Sequence, residues 1–247
     1  MAIAIISVRG NSVGIKDKNI ISFCGKPLIC HTIEKTLKVK GIDRLYVSSD
    51  SDKILDIIVD YFSSSISFSK IDDNYHKLII PDLIKQPDEI STNQSTSVDA
   101  WKYVLSCINK KIDFVVAVQN TSPLCETSDI QRGINDFTDM YPFDSLFSAA
   151  EVRDMFIWQR DSVFGRLKSV TYDYHNRKLR QNIPVQYLET GAFYIFKPEM
   201  LLRNNNMLGG YIGVSIMELW KMFEINELKD ISICEDLYKK YILKEGV

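Results

Sequence analysis

Apolar residues fall in short β-rich runs separated by helical patterns through the first 150 residues, an alternation that predicts parallel βαβ units. The runs place strands at 2–8, 45–48, 65–68, 114–118 and 145–149. Between them, Pro27 opens a helix with Ile29, Ile33 and Leu37 on its apolar face, and a second helix runs from about Asp52 to Tyr61 through Ile54, Ile57 and Ile58. A third carries Val98, Trp101, Val104, Leu105 and Ile108 behind the N-cap candidates Ser95, Thr96 and Ser97, and a fourth begins near Ser128. Right-handed crossovers put these helices on both faces of one sheet, with the ligand crevice at the strands' carboxyl ends. From about residue 150 the period is lost until a strand at 188–196 that contains Gly191. That stretch reads as an excursion, a dimerisation arm at about 150–187, and 71–85 reads as a loop-like insertion. No repeat or linker marks a boundary, so one domain is expected over 1–247.

Composition narrows the function classes. The 247 residues carry 30 basic and 32 acidic side chains, a formal charge of −2. There is no global cationic field to hold a polyanion, which argues against nucleic-acid binding and electrostatic membrane attachment. Five cysteines without a CxxC pair read as reduced thiols of a cytoplasmic protein. The apolar run from Ala2 to Ile6 stops at Arg9 and is too short for a signal peptide or membrane span; it reads as a buried first strand. The sequons at Asn93 and Asn120 then count as chance matches.

Three polar elements are candidates for chemistry. The loop after the first strand holds Arg9, Gly10, Ser12, Gly14, Lys16, Lys18 and Asn19: small residues let backbone amides approach an anion and the cations supply charge. It fits neither GxGxxG nor GxxxxGK[ST], and a solvated turn is the simpler alternative. The run 119–124 (QNTSPL) follows the central strand, where ligands bind in open α/β sheets, or else it is only a turn leading into a helix. The third element, Arg180 to Pro184 followed by Glu189 to Tyr194, offers an arginine that could clamp a carboxylate, or a merely exposed side chain.

In this order the elements resemble the acylneuraminate cytidylyltransferase family, and the resemblance covers nearly the whole chain. Ile5 to Pro27 is similar to the family's opening signature, and RLYVSSD at 44–50 to its second strand. The 119–124 run resembles Gln-Pro-Thr-Ser-Pro-Leu, while the blocks at 180–184 and 191–195 resemble Arg-Gln-x-Leu-Pro and Asn-Gly-Ala-x-Tyr-Ile. The resemblance implies a three-layer α/β/α nucleotidyltransferase fold and a reaction in which the anomeric hydroxyl of a nine-carbon 2-keto sugar acid, a nonulosonic acid of sialic, legionaminic or pseudaminic type, attacks the α-phosphorus of CTP and expels pyrophosphate. It further implies Mg2+ or Mn2+, and a homodimer. Arg9, Ser12, Lys18 and Asn19 match the phosphate and nucleotide loop, with Arg9 and Lys18 catalytic. Ser95 and Ser97 match positions that meet cytosine, and Gln119, Arg180 and Tyr194 match positions that hold the sugar acid.

The chain departs from the family pattern at specific places. Val13 replaces a lysine of the first loop, Gln86 stands for the arginine that helps to read cytosine, and Asn93 stands for a nearby aspartate. Two registers compete for the C-terminal metal motif. One uses Asp230 and Ser232 with Asp236 closing the motif. The other uses Glu224 and Asn226, followed by Asp230, and is preferred because it leaves Ile231, Cys234, Leu237, Tyr238 and Tyr241 as one helical face. Either register keeps one carboxylate where the family has two. A non-catalytic or altered-specificity paralogue would explain these losses. A nucleotide-sugar glycosyltransferase reading rests on the triplet Asp50, Ser51, Asp52, which is better explained as the start of a helix. His31, His76 and His175 are scattered, so no histidine zinc site is expected.

Overall fold

The computed structural model describes residues 1–11, 14–66, 81–92, 94–140 and 142–245. Its centre is a seven-stranded sheet of β1 (Ala2–Val8), β4 (Arg44–Ser49), β5 (Asp82–Lys85), β6 (Phe114–Val118), β7 (Ser145–Val152), β10 (Gln186–Phe196) and β11 (Ile212–Met217), in the order β11-β7-β10-β6-β1-β4-β5. The pairs β1/β4, β1/β6, β4/β5 and β7/β11 are parallel, and β10 alone runs antiparallel to both its neighbours, β6 and β7. Two small hairpins complete the strands: β2 (Ser22–Phe23) with β3 (Lys26–Pro27), and β8 (Trp158–Arg160) with β9 (Leu167–Ser169).

Period-two alternation decides which residues face which layer. On β1, Ala4, Ile6 and Val8 join one core cluster with Ile29 and Ile33 of α1 (Leu28–Leu37), Ile54 and Ile58 of α2 (Asp52–Ile66), and Ile130 and Ile134 of α4 (Thr127–Asn135). Ile3 and Ile5 point the other way, into a cluster with Trp101 and Val104 of α3 (Ser97–Ser106) and Leu201 of α5 (Pro198–Asn204). Helices thus cover both faces, as parallel strands buried on both sides require. The sequence expectation of a layered α/β fold holds.

The boundaries differ in informative ways. The strand expected at 65–68 is not formed at its start: Ser65 and Ile66 end α2, and 67–68 lie outside the described residues. The edge strand is instead β5, inside the segment expected to be an insertion; its burial is only partial, so it lacks a continuous apolar run. Pro27 is the N-cap of α1 rather than its first residue. Among the three candidate caps of α3, Thr96 is the cap, in a reciprocal box with Asp99. The residues at 153–182 are mostly exposed and carry the β8/β9 hairpin.

A third cluster closes the carboxyl end of the sheet: Ile15, Phe23, Leu28, Leu124, Ile225 and Cys234, the last on α6 (Leu228–Leu237). His31 is its polar hinge. The ring Nε2 lies 2.7 Å from the Phe23 carbonyl, which can only accept, so Nε2 carries the proton and Nδ1 accepts from the Tyr238 hydroxyl at 3.3 Å. Burial pulls the imidazole down to about 4. Between the ordinary value of 6.5 and about 4 the unfolded chain takes up a proton that the folded chain refuses, so this contribution is complete above pH 6.5 and is lost as pH falls. The urea midpoint is expected to drop more steeply from pH 7 to pH 4.5 in the wild type than in His31→Gln; parallel slopes would show that His31 does not set this dependence.

Candidate functional site

Parallel strands deliver their carboxyl ends to one edge, and there the chain forms a cavity of about 530 Å3. Its walls come from the end of β1 and the loop after it, from Gln86 after β5, from the start of α3, and from the segment after β6. Of the residues proposed from sequence, Arg9, Lys18, Asn19, Gln86, Ser95, Ser97, Gln119 and Asn226 all line this one cavity.

The first loop is held by contacts to three neighbouring segments. The Gly10 amide donates to Asp50 Oδ1 at 2.7 Å, so Asp50 fastens the loop, while Asp52 starts α2 and pairs with Lys85. Arg9 Nη1 donates to the Thr92 carbonyl at 2.6 Å. Asp17, in left-handed conformation at φ 55°, turns the chain into the short 3₁₀ turn Lys18–Ile20. Within that turn Asn19 is buried and donates from Nδ2 to the Arg9 carbonyl at 2.8 Å. Ser12 and Val13 lie outside the described residues, as does Asn93.

Electrostatics concentrate on Lys18. It is half-buried, and burial pulls its ammonium below the ordinary lysine range; the Glu224 carboxylate opposes that shift and Arg9 reinforces it. Among the described residues neither Arg9 nor Lys18 makes an ion pair, so both charges are available to an anion.

The opposite wall is neutral and hydrogen-bonded. Gln86 is buried; its backbone amide donates to Ser49 and its Nε2 to Ser48 Oγ at 2.7 Å, which in turn lies 2.8 Å from Ser7 Oγ. Ser95 Oγ accepts from the Thr92 amide at 3.0 Å, shaping the turn before α3. The Gln119 amide donates to the Ala192 carbonyl and the Ile225 amide to the Thr121 carbonyl, tying the segment after β6 to β10 and to the C-terminal loop.

A second cavity, of about 360 Å3, abuts the first and is lined by Glu189, Thr190, Gly191, Met222, Phe223, Glu224 and Asn226. Asn226 borders both. Glu224 accepts from Ser122 Oγ at 3.3 Å and from Asn226 Nδ2 at 3.3 Å. The turn before it is anchored by buried Lys221, whose Nζ reaches Asp129 at 2.7 Å and Glu126 at 2.6 Å on the α4 side. Asp230 is otherwise engaged: it accepts from the Asn226 and Glu227 amides at the start of α6, and those bonds hold its carboxyl below the usual range. The geometry therefore favours Glu224 and Asn226 over Asp230 and Ser232 as the residues facing the cavities. Among the described residues, no three His, Cys, Asp or Glu side chains cluster as a metal site.

Two of the proposed residues are placed elsewhere. Arg180 lies on the exposed excursion, 3.4 Å from Asp154, away from both cavities. Tyr194 is packed beneath the sheet surface against Trp101, with its hydroxyl donating to Glu189; burial raises its pKa first, and that bond adds to the shift. Asn120 and Thr121, which the sequence offered only as members of the polar run 119–124 and without a role of their own, also line the main cavity.

Gly191 is at φ +66° in the bulge of β10, and a Cβ there would collide with Glu224 Oε1. Gly191→Ala is expected to displace Glu224 and lower stability by about 1–3 kcal/mol. A denaturation midpoint equal to that of the wild type would show that the bulge absorbs the methyl group.

Comparison with known proteins places this geometry. The cytidylyltransferase family pattern matches residues 3–206. The chain is 23% identical over 244 residues to pseudaminic acid cytidylyltransferase of Campylobacter jejuni, covering 96% of each. It is 23% identical over 240 residues to N-acylneuraminate cytidylyltransferase of Escherichia coli and 28% identical over 209 residues to that of Streptococcus agalactiae serotype III. These matches cover 96% and 83% of this chain, but the chain spans only 52% and 45% of those two relatives. Among solved structures, CMP:2-keto-3-deoxy-manno-octonic acid synthetase complexed with CTP superposes with a TM-score of 0.67 at 12% identity, covering 97% of this chain and 98% of that one. A 4-diphosphocytidyl-2C-methyl-D-erythritol synthase from Anaerococcus prevotii gives 0.62 at 12% identity, covering 96% and 98%. At that identity the likeness is one of fold. The family match over most of its length shows that the chain belongs to the cytidylyltransferase family.

Proposed function

We propose that the chain transfers a cytidylyl group from CTP to a nonulosonic acid, releasing pyrophosphate. The observation that carries this reading is that Arg9 and Lys18, which form no ion pair among the described residues, share one wall of a cavity whose other wall is neutral and hydrogen-bonded. A triphosphate suits the first wall and a nucleoside the second. Negative charge grows on the bridging and leaving oxygens during the displacement, and Arg9 and Lys18 stabilise it from a partly desolvated position. Asn19, Gln86, Ser95 and Ser97 complete the nucleotide side, the family resemblance adds Ser12 to it, and Gln119, on the wall of the same cavity, is assigned to the acceptor.

The donors near the cavities suit a divalent cation, with one carboxylate, Glu224, and one amide oxygen, Asn226. These two residues would hold Mg2+ or Mn2+, which supplies charge neutralisation at the phosphates when bound. The neighbouring 360 Å3 cavity, bounded by Gly191 and Glu224, is the place for the sugar acid. The departures at Val13, Gln86 and Asn226 favour an altered nucleotide or metal preference over loss of function, because Gln86 and Asn226 still line the cavity.

Arg180 serves as a carboxylate clamp in this reading only when its excursion meets a site. Val163 and Phe164 are each 76% exposed on the same excursion, which suits burial against a second copy. The protein then acts as a cytoplasmic homodimer. No helix among the described residues is long and apolar enough to cross a membrane.

Pyrophosphate release is expected with CTP, Mg2+ or Mn2+, and at least one of N-acetylneuraminate, legionaminate or pseudaminate; no turnover across all four nucleotides, both metals, these acids and Kdo, alongside measurable ligand binding, would establish the non-catalytic paralogue instead. Lys18→Gln is expected to lower kcat about 100-fold, and an unchanged kcat removes it from the chemistry. Sedimentation should give a dimer that Phe164→Asp dissociates, and Arg180→Ala should raise the sugar-acid KM; a wild-type monomer, or an unchanged KM, overturns the corresponding assignment.

A further inference from the structure

Asn120 has a role that neither the family motif nor the proposed site residues assign. It stands where the motif resembled by 119–124 has proline, it is 3% exposed, and it lines the main cavity. Its hydrogen bonding has a fixed direction. The Arg9 carbonyl can only accept, so the Asn19 amide nitrogen at 2.8 Å faces it. Asn19 Oδ1 is thereby turned towards Asn120, whose Nδ2 donates to it at 3.0 Å and approaches the Asn19 backbone carbonyl at 3.4 Å. Reversing the Asn120 amide would set its oxygen against two acceptors. The donor end of Asn120 is therefore committed and its Oδ1 points away from them.

That oxygen is buried and has no hydrogen-bond partner. Among the described residues only one other buried side-chain polar atom shares this condition, Thr32 Oγ1, which lies in α1 away from the cavity. A buried acceptor without a donor is unfavourable in the free protein and gains when one arrives. The chemistry of the substrates restricts what the donor is. Triphosphate and carboxylate oxygens are acceptors at neutral pH, and they belong with Arg9 and Lys18. The remaining donors are the cytosine amine, the acylamido N–H of the sugar acid and, most numerous, the hydroxyl groups of the ribose and the sugar acid.

We propose that Asn120 is a substrate-binding residue whose Oδ1 accepts a hydrogen bond from a substrate hydroxyl, while its Nδ2 fixes the Arg9 loop through Asn19. This rests on the cytidylyltransferase reading and adds to it a contact specific to this chain. The donor half couples the end of β6 to the loop that carries Arg9 and Lys18. The acceptor half makes that coupling sensitive to occupancy, because a ligand hydroxyl on Oδ1 restrains the same amide that orients Asn19.

The test is calorimetric binding of CTP, 2′-deoxy-CTP and 3′-deoxy-CTP to the wild type, Asn120→Leu and Asn120→Asp, together with the sugar-acid KM for whichever acid turns over. Loss of one such bond is expected to cost Asn120→Leu about tenfold. If the partner is a ribose hydroxyl, CTP binding weakens and the wild type's preference over one deoxy analogue disappears. If it is a hydroxyl of the sugar acid, CTP binding holds and the sugar KM rises by that factor. Asn120→Asp keeps an acceptor of the same size and should retain the hydroxyl preference even where it loosens the Asn19 contact, which separates ligand binding from fold support should Asn120→Leu prove unstable on thermal melting. Unchanged CTP affinity, deoxy preference and sugar KM in a folded Asn120→Leu would overturn the proposal alone. No CTP binding by the wild type would overturn it together with the functional reading.

Discussion

The parallel pairing of β1 with β4 on one side and β6 on the other is the contact on which everything at the site depends. It sets Ile3 through Ile6 beside Arg44 through Val47 and, on the other edge, Ala2 through Ile5 beside Phe114 through Ala117. Because all three strands run the same way, the loops that follow them leave the sheet at one end. Arg9, Asp50 and Asn120 are distant in sequence yet become neighbours through register alone. A slip of one residue would send Ile3 and Ile5 into the wrong layer and dissolve both core clusters, so burial enforces the register and the register enforces the site.

Much of this was legible in the chain because strong periodicity and strong chemistry coincided. The central strands are apolar on both faces, and the helices have clear inward stripes, so their existence followed from pattern. Eight of the proposed site residues line one cavity because the loops that follow parallel strands leave the sheet at one edge, as the βαβ pattern implied. The misreadings have physical causes. β5 is an edge strand with half-buried residues, leaving it without the contrast that marks an inner strand. Ser65 and Ile66, expected to open a strand, are instead the last residues of α2. Apart from these misreadings, Arg180 and Tyr194, named from motif, line neither cavity, since motif carries no information on which side of a strand a residue faces or how far an excursion swings from the sheet.

The site divides its labour by charge. Among the described residues Arg9 and Lys18 form no ion pair, Glu224 accepts hydrogen bonds only from neutral donors, and Asp230 is committed to backbone amides at the start of α6. Lys221, by contrast, is buried and neutralised by the buried Asp129 and the part-exposed Glu126, where an unpaired charge would be costly. The two arrangements differ in kind: the Lys221–Asp129 contact fixes the approach of the C-terminal loop, whereas Arg9 and Lys18 face the cavity.

Asn226 belongs to the walls of both cavities. Occupants of adjoining cavities that touch one shared side chain are not independent. Any ligand in the larger cavity that draws the Asn226 amide towards itself changes what Glu224 faces in the smaller one, and thermodynamic reciprocity requires the smaller cavity's ligand to alter the larger one's affinity by the same factor. A single neutral side chain is thus the point through which the occupancy of one cavity biases the other.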